Sequence, residues 1–246
     1  LLAAICCYEI FLRSYVIGLS YSGSPYAFHA IGSTMSCTAE AYVGVRGMNR
    51  RMAAEDFHFL NKLAKIGRIG VITETKVFPS SRISGRVPFG TGRRMIRHMA
   101  GETDEYRLYD PRTFGILREW LAVMETDPDR DPDNILADAR HIHPHLAEYL
   151  RLTALERDWR NIRRNSHGLS HLRKQFHVWF DGLKTLRLVR HLSHQAFPLV
   201  PMFEGLAGLI DLIGVPFPLE DAPRGIPEPD HQLRIVEKLR SSFPFS

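Results

Sequence analysis

Glu55-Asp56-Phe57-His58-Phe59-Leu60-Asn61-Lys62-Leu63-Ala64-Lys65-Ile66-Gly67, with Gly70-Val71-Ile72-Thr73-Glu74-Thr75-Lys76-Val77-Phe78 behind it, is the stretch on which the fold reading turns. Asp56, Phe59, Leu60 and Leu63 recur at i, i+3, i+4 and i+7, which predicts a helix with Asp56 on its apolar stripe. Glu55 aligns instead with His58 and Lys62 on the polar face. Gly67 reads as a left-handed cap, with Lys62 and Lys65 near the negative end of the helix dipole. A carboxylate on the inward stripe is either a buried structural acid or a catalytic one, and spacing alone favours the structural role. The second run alternates and is β-branched, so it predicts a strand that Pro79 ends. A strand following an acid-bearing helix points to part of an α/β sheet domain.

Upstream, residues 2–18 read as a buried helix, 26–36 as a β-prone run around Gly32, and 39–45 as a short helix. Leu1 to Leu19 is apolar enough to suggest a membrane span, but it contains Glu9 and Arg13 at i, i+4. A charge at the centre of a span costs roughly 2.5–3.5 kcal/mol, so a packed helix with an internal ion pair is the better reading. The chain opens at Leu1 inside this apolar helix, and is read as a piece of a longer protein. Three cysteines, Cys6, Cys7 and Cys37, cannot make a disulfide framework and fit a reducing compartment. Composition is that of an ordinary globular chain, 44% hydrophobic and 24% charged with a net charge of +5.

Downstream, residues 80–94 hold Arg82, Arg86, Arg93 and Arg94 among Gly85, Gly90 and Gly92, without helical or strand periodicity. Glycines admit a ligand close to backbone N–H groups and arginines fork onto phosphate oxygens, so this is either an anion-binding loop suited to a diphosphate or a solvated surface loop. From Pro111 the pattern is helical, with helices expected near 111–126, 133–164, 169–195, 199–214 and 230–241. The acidic loop 127–133 lacks the central glycine and distal glutamate of a calcium loop. His141, His143 and His145 suggest a metal site, but the run is read as a polar helix face, with no carboxylate taken to share that face in the zinc-protease manner. Residues 151–195 carry ten Lys/Arg against three acids, interleaved with Trp159, Phe176, Trp179 and Phe180. Such a segment could bind an anionic partner, or be a solvated face with its aromatics turned into a helical core. Pro198 to Val215 is amphipathic, with peripheral membrane contact as a further option.

Three runs together resemble a known family. Ala27-Phe28-His29-Ala30-Ile31-Gly32-Ser33-Thr34-Met35, Tyr42-Val43-Gly44-Val45-Arg46-Gly47-Met48 and Ala54-Glu55-Asp56-Phe57 look like the C-terminal half of the catalytic domain of family 2 glycosyltransferases of GT-A type. The resemblance covers roughly residues 20–95. It implies that Asp56 is the general base, that Glu55 orients it, and that Pro79 to Arg94 closes over a nucleotide, with Arg82, Arg86, Arg93, Arg94, Gly90 and Gly92 on the diphosphate. It also implies a divalent cation, Mg or Mn, held by an N-terminal half that this sequence lacks together with its Asp-x-Asp motif. The Gln-x-x-Arg-Trp motif of polymerising members is absent, which favours single sugar addition.

The resulting expectation is a partial GT-A α/β domain over residues 1–100, Rossmann-like, followed by a mainly helical region over 101–246. The expected partners are a nucleotide-sugar donor and a hydroxyl acceptor, with nucleic acid disfavoured. The expected setting is the cytoplasm or the inner face of its membrane, in cell-surface glycan synthesis. The alternative is a non-enzymatic helical module that binds an anionic partner through residues 151–195.

Overall fold

The computed structural model describes residues 1–50, 53–75, 77, 90–101, 104–215 and 225–243. The helices are α1 (Leu2–Tyr21), α2 (Ala39–Gly44), α3 (Glu55–Ile66), α4 (Thr91–Ala100), α5 (Arg112–Thr126) and α6 (Pro132–Ile142), then α7 (Pro144–Leu152), α8 (Leu155–Arg164), α9 (Leu169–Trp179), α10 (Gly182–Gln195), α11 (Met202–Ile213) and α12 (Pro229–Ser242). A 3-10 turn covers Gly32–Thr34. Strands β1 (Arg107–Leu108) and β2 (Val200–Pro201) pair antiparallel, Arg107 opposite Pro201 and Leu108 opposite Val200. The chain divides into two compact units. The first comprises Leu1–Ile17, Ala27–Leu108 and Val200–Ser246, and the second Gly18–Tyr26 and Tyr109–Leu199.

The expected α/β, Rossmann-like sheet is not formed. Among the described residues the chain is mainly helical, and its one sheet is that two-residue ladder. Residues 70–75 and 77, expected as a strand, pair with nothing in the ladder, and Lys76 and Phe78 lie outside the described residues. Val71 and Ile72 are 53% and 61% exposed. Alternating β-branched residues suit a pleated surface, but a strand also needs a neighbour for its N–H and C=O groups and a core under one face. The β-prone run around Gly32 likewise becomes the 3-10 turn.

In the first unit, α1 buries Cys6, Cys7, Ile10, Val16 and Ile17. It is long and apolar enough to cross a membrane, yet half of that window is buried inside the protein. Its charges are paired: Arg13 donates to Glu9 at 2.8 Å, and Arg240 of α12 donates to both Glu9 oxygens at 2.7 and 2.6 Å. Burial alone would raise the Glu9 carboxyl, but hydrogen bonds from Arg240 and Arg13 outweigh it and hold the group below its ordinary value. Helix α3 follows the predicted stripe, with Phe59, Leu60 and Leu63 buried against Phe28, Ala30, Met35, Ala41, Val45 and Ile69. Its end differs from expectation, because Gly67 is extended (φ −161°) rather than left-handed. Lys62 works across helices instead of at its own C-terminus, donating to the carbonyls of Val45 and Gly47 at 2.8 and 2.5 Å and so satisfying the end of α2.

In the second unit, the helices expected over 133–164 and 169–195 are broken further. Pro144 is the first residue of α7, and it forces His143 into an extended conformation (φ −163°, ψ 134°) that ends α6. Ala154, left-handed at φ 58°, separates α7 from α8. Asp181 starts α10 by accepting hydrogen bonds from the Leu183 and Lys184 N–H groups, both at 3.1 Å. The core is aromatic: Phe176 stacks on Phe180 (5.7 Å), while Trp120 and Trp159 meet Phe176 edge-on at 5.5 and 6.1 Å.

Two glycines in this unit make opposite predictions. A Cβ at Gly18 would lie 2.6 Å from three atoms of the Phe114 ring, which is itself 2% exposed and cannot withdraw. Overpacking of that kind costs roughly 1–3 kcal/mol, more than the ~1 kcal/mol that alanine gains over glycine in a helix. Gly115 of α5 has nothing within 4 Å of its Cβ position. Gly18→Ala is expected to destabilise and Gly115→Ala to stabilise by up to about 1 kcal/mol, measured by denaturant unfolding. The depressed Glu9 carboxyl adds a pH dependence. Its stabilisation is complete above the ordinary value of 4.5 and disappears as pH falls through the lower folded value. The stability gap between wild type and Glu9→Gln should therefore be open at neutral pH and close on acidification below 4.5, read from unfolding midpoints across the pH range.

Candidate functional site

The first unit brings together three segments that are far apart in sequence. Helix α3 opens at Ala54, held left-handed (φ 60°) without a side-chain cap. Asp56 follows in the first turn, half-buried, and its Oδ2 accepts a hydrogen bond from the Gly32 N–H at 3.0 Å. The inward placement read from spacing thus points the carboxylate at the Gly-containing 3-10 turn. Glu55 makes no hydrogen bond among the described residues; Asp56 is held by the Gly32 N–H on Oδ2 and by the Phe57 N–H on Oδ1 at 2.7 Å.

Tyr8 of α1 belongs to the same locality. Burial raises its phenol; a hydrogen bond to Thr91 and the Arg94 charge act downward, and the Asp56 charge acts upward. Thr91 and Arg94 of α4 thus meet the Tyr8 side chain, with the Arg94 guanidinium 5.9 Å from its ring, and the Asp56 charge acts on it from further off. Nothing in the sequence singles out Tyr8, which sits in an apolar run and looks like a core residue.

The Arg/Gly segment is only partly a loop. Residues 80–89, with Arg82 and Arg86, lie outside the described residues, and α4 begins at Thr91. Gly90 precedes the helix at φ 97°, a conformation that favours glycine, and Gly92 and Arg93 lie in the first turn. Arg93 is exposed. Arg94 is turned into the protein, paired with Glu105 and lying 4.4 Å over the Phe11 ring. Arg97 approaches the other Glu105 oxygen at 2.9 Å, and the Glu105 side chain is only 4% exposed. Its backbone carbonyl accepts from the Cys7 thiol at 3.2 Å. Burial pushes that thiol up to about 12, which leaves it protonated and inert. Of the arginines expected on a diphosphate, the described ones divide into Arg93, open to solvent, and Arg94, an internal anchor.

In the second unit, the aromatics of the basic segment face inward: Trp159, Phe176, Phe180 and Trp179 are buried. Many of its cations meet internal partners. Arg163 donates to Asp129 at 2.9 Å, Arg173 to the Glu125 carbonyl at 2.7 Å, and Arg157 to Asp158 at 2.9 Å, while Lys184 lies over the Trp179 ring. The acidic loop 127–133 is a partner of this face, which spacing along the chain could not reveal. The histidine run is also rearranged. His141 ends α6, exposed, and His143 caps α7, its Nδ1 accepting from the His145 N–H at 3.3 Å. The expectation that no carboxylate shares a face with these histidines fails at Glu148, three residues beyond His145 and 2.7 Å from its Nδ1.

Comparison with protein-family models, curated proteins and solved structures finds no match to this chain.

The two exposed-versus-buried arginines give a direct test. Arg94→Met strands half of a buried carboxylate and should cost roughly 1–3 kcal/mol, below the usual loss for a buried pair because Arg97 remains. Arg93→Met should stay within about 0.5 kcal/mol of wild type, as surface changes do. Denaturant unfolding of both variants measures the difference.

Proposed function

We propose that this chain carries the acceptor-side part of an inverting glycosyltransferase, which moves a sugar from a nucleotide-sugar donor to a hydroxyl. The observation that carries the reading is the Gly32–Asp56 hydrogen bond, which joins two of the runs that carry the resemblance. Two of the three runs that resemble family 2 glycosyltransferases meet there, through Gly32 and Asp56, while the run 42–48 packs further along α3; none of them forms the expected sheet.

In this reading Asp56 takes the proton of the acceptor hydroxyl as its oxygen attacks the anomeric carbon. The bond to the nucleoside diphosphate breaks on the opposite side, and the leaving group departs with the electron pair. Gly32 holds the carboxylate in place by one oxygen. Arg93, exposed on the first turn of α4, is the described cation available to a diphosphate, aided by the positive end of that helix. Glu55 is kept as a secondary acid on the open face of α3. A divalent cation is implied by the family resemblance, but among the described residues no three-ligand group forms around Asp56, so no step is routed through one.

The alternative, an anionic-partner module on 151–195, keeps the exposed cations Arg151, Arg164, Lys174, Arg187 and Arg190, whereas Arg157, Arg163 and Arg173 are engaged by acids of the same unit. The test of the transferase reading is transfer of labelled sugar by the full-length protein. Asp56→Asn should lower turnover by about 10²–10⁴, the usual contribution of a positioned general base, with nucleotide-sugar binding and thermal stability near wild type. Turnover close to wild type in Asp56→Asn would remove Asp56 as the base.

A further inference from the structure

We infer that His145, Glu148 and His191 form a binding site for a divalent transition-metal ion, with zinc the best chemical match, that ties α7 to α10. The site is independent of the transferase reading, since it lies wholly in the second unit.

Its geometry follows from how the two helices pack. Leu146, Ala147 and Leu150 of α7 and Leu188 and Leu192 of α10 are buried, and the Tyr149 hydroxyl donates to the Lys184 carbonyl at 2.7 Å, which sets the register. His145 and Glu148, three apart, emerge together at the edge of that interface. His191 faces them from α10. Its ring is 5.7 Å from Tyr149 and 6.1 Å from His145. The side chain is 14% exposed, and its Nε2 atom is closed to solvent without a hydrogen-bond partner. The nearest acceptor, Glu148 Oε2, is 3.6 Å away, beyond hydrogen-bond reach. That buried nitrogen faces the carboxylate at ion-pair distance without closing a hydrogen bond, a spacing that a shared cation would complete.

The three donor atoms, His145 Nδ1, Glu148 Oε2 and His191 Nε2, lie within 4.8 Å of one another. Tetrahedral zinc with bonds of about 2.0–2.2 Å needs its donors roughly 3.3–3.5 Å apart. The observed separations from Glu148 Oε2, 2.7 Å to His145 and 3.6 Å to His191, bracket that spacing. Glu148, half exposed, is the ligand free to adjust. To bind, His145 moves its proton to Nε2 and presents the Nδ1 lone pair in place of the present hydrogen bond. Two imidazoles with one carboxylate select zinc-like ions over magnesium or calcium, which prefer all-oxygen sites. Three protein ligands leave the fourth position to water.

The test uses the full chain, freed of metal with a chelator, and titrates Zn²⁺ alone by calorimetry, with Co²⁺ absorption as a reporter of nitrogen coordination. One ion per chain is expected, with binding weakened at least tenfold in His191→Ala and in Glu148→Gln, and with zinc raising the unfolding temperature of wild type but of neither variant. Glu148→Gln changes an exposed side chain and decides the question if His191→Ala fails to fold. No binding at micromolar Zn²⁺, or affinity unchanged in Glu148→Gln, would overturn the site and leave any uptake to the other histidines.

Discussion

The first unit depends on keeping one buried charge paired. The Glu105 carboxylate is almost fully removed from water, a state that is tolerable only when cations and hydrogen bonds replace the lost hydration. Arg94 and Arg97, three apart on α4, supply that replacement, and Arg94 can reach only by lying across the Phe11 ring of α1. The Cys7 thiol adds a second tie, donating to the Glu105 carbonyl. Helix α4 is thereby held against α1 at a set rotation. That rotation puts Thr91 on the Tyr8 hydroxyl and leaves Arg93 facing water. The meeting of Thr91 with Tyr8 is thus tied to where a structural ion pair had to go.

The second unit solves a different problem. Its chain is rich in cations, yet the large side chains between them are aromatic, and burying Trp120, Trp159, Phe176 and Phe180 supplies the core. Once those rings point inward, the cations have to lie outside, where the acids of the 125–133 segment meet several of them. Exposed pairs of this kind contribute little each. Here they offset part of the positive charge on a surface that composition alone makes look like a docking face. Packing of α7 on α10 also brings His191 to a histidine and a glutamate more than forty residues earlier.

Some of this was legible in the residues and some was not. The stripe Phe59, Leu60, Leu63 was buried where its spacing put it, because helical periodicity is a local property that a core can only accept or reject. The same periodicity put Asp56 on the inward face, where it is half-buried like Glu55, but it did not show its partner: the Gly32 N–H is 24 residues away. The strand expected at 70–78 failed for the complementary reason. A helix closes its own hydrogen bonds, whereas a strand exists only if another segment pairs with it, and residue type does not say whether one does. The missed breaks at Pro144 and Asp181 were local after all; both carried a proline or N-cap signal that a long apolar pattern obscured.

By itself, then, the sequence determined many of the helices, their apolar faces, and the acidic start of α3, since these rest on periods of three to four residues and on caps one turn away. It did not show α4, which begins within the stretch read as an aperiodic loop. Only the tertiary structure decided that Arg94 is an anchor rather than a ligand-binding cation, that several cations of the basic segment meet the acids of 125–133, and that Glu148 stands between His145 and His191. Each of those outcomes depends on which charges meet across elements, and electrostatic interactions act on distance in space, to which distance along the chain is no guide.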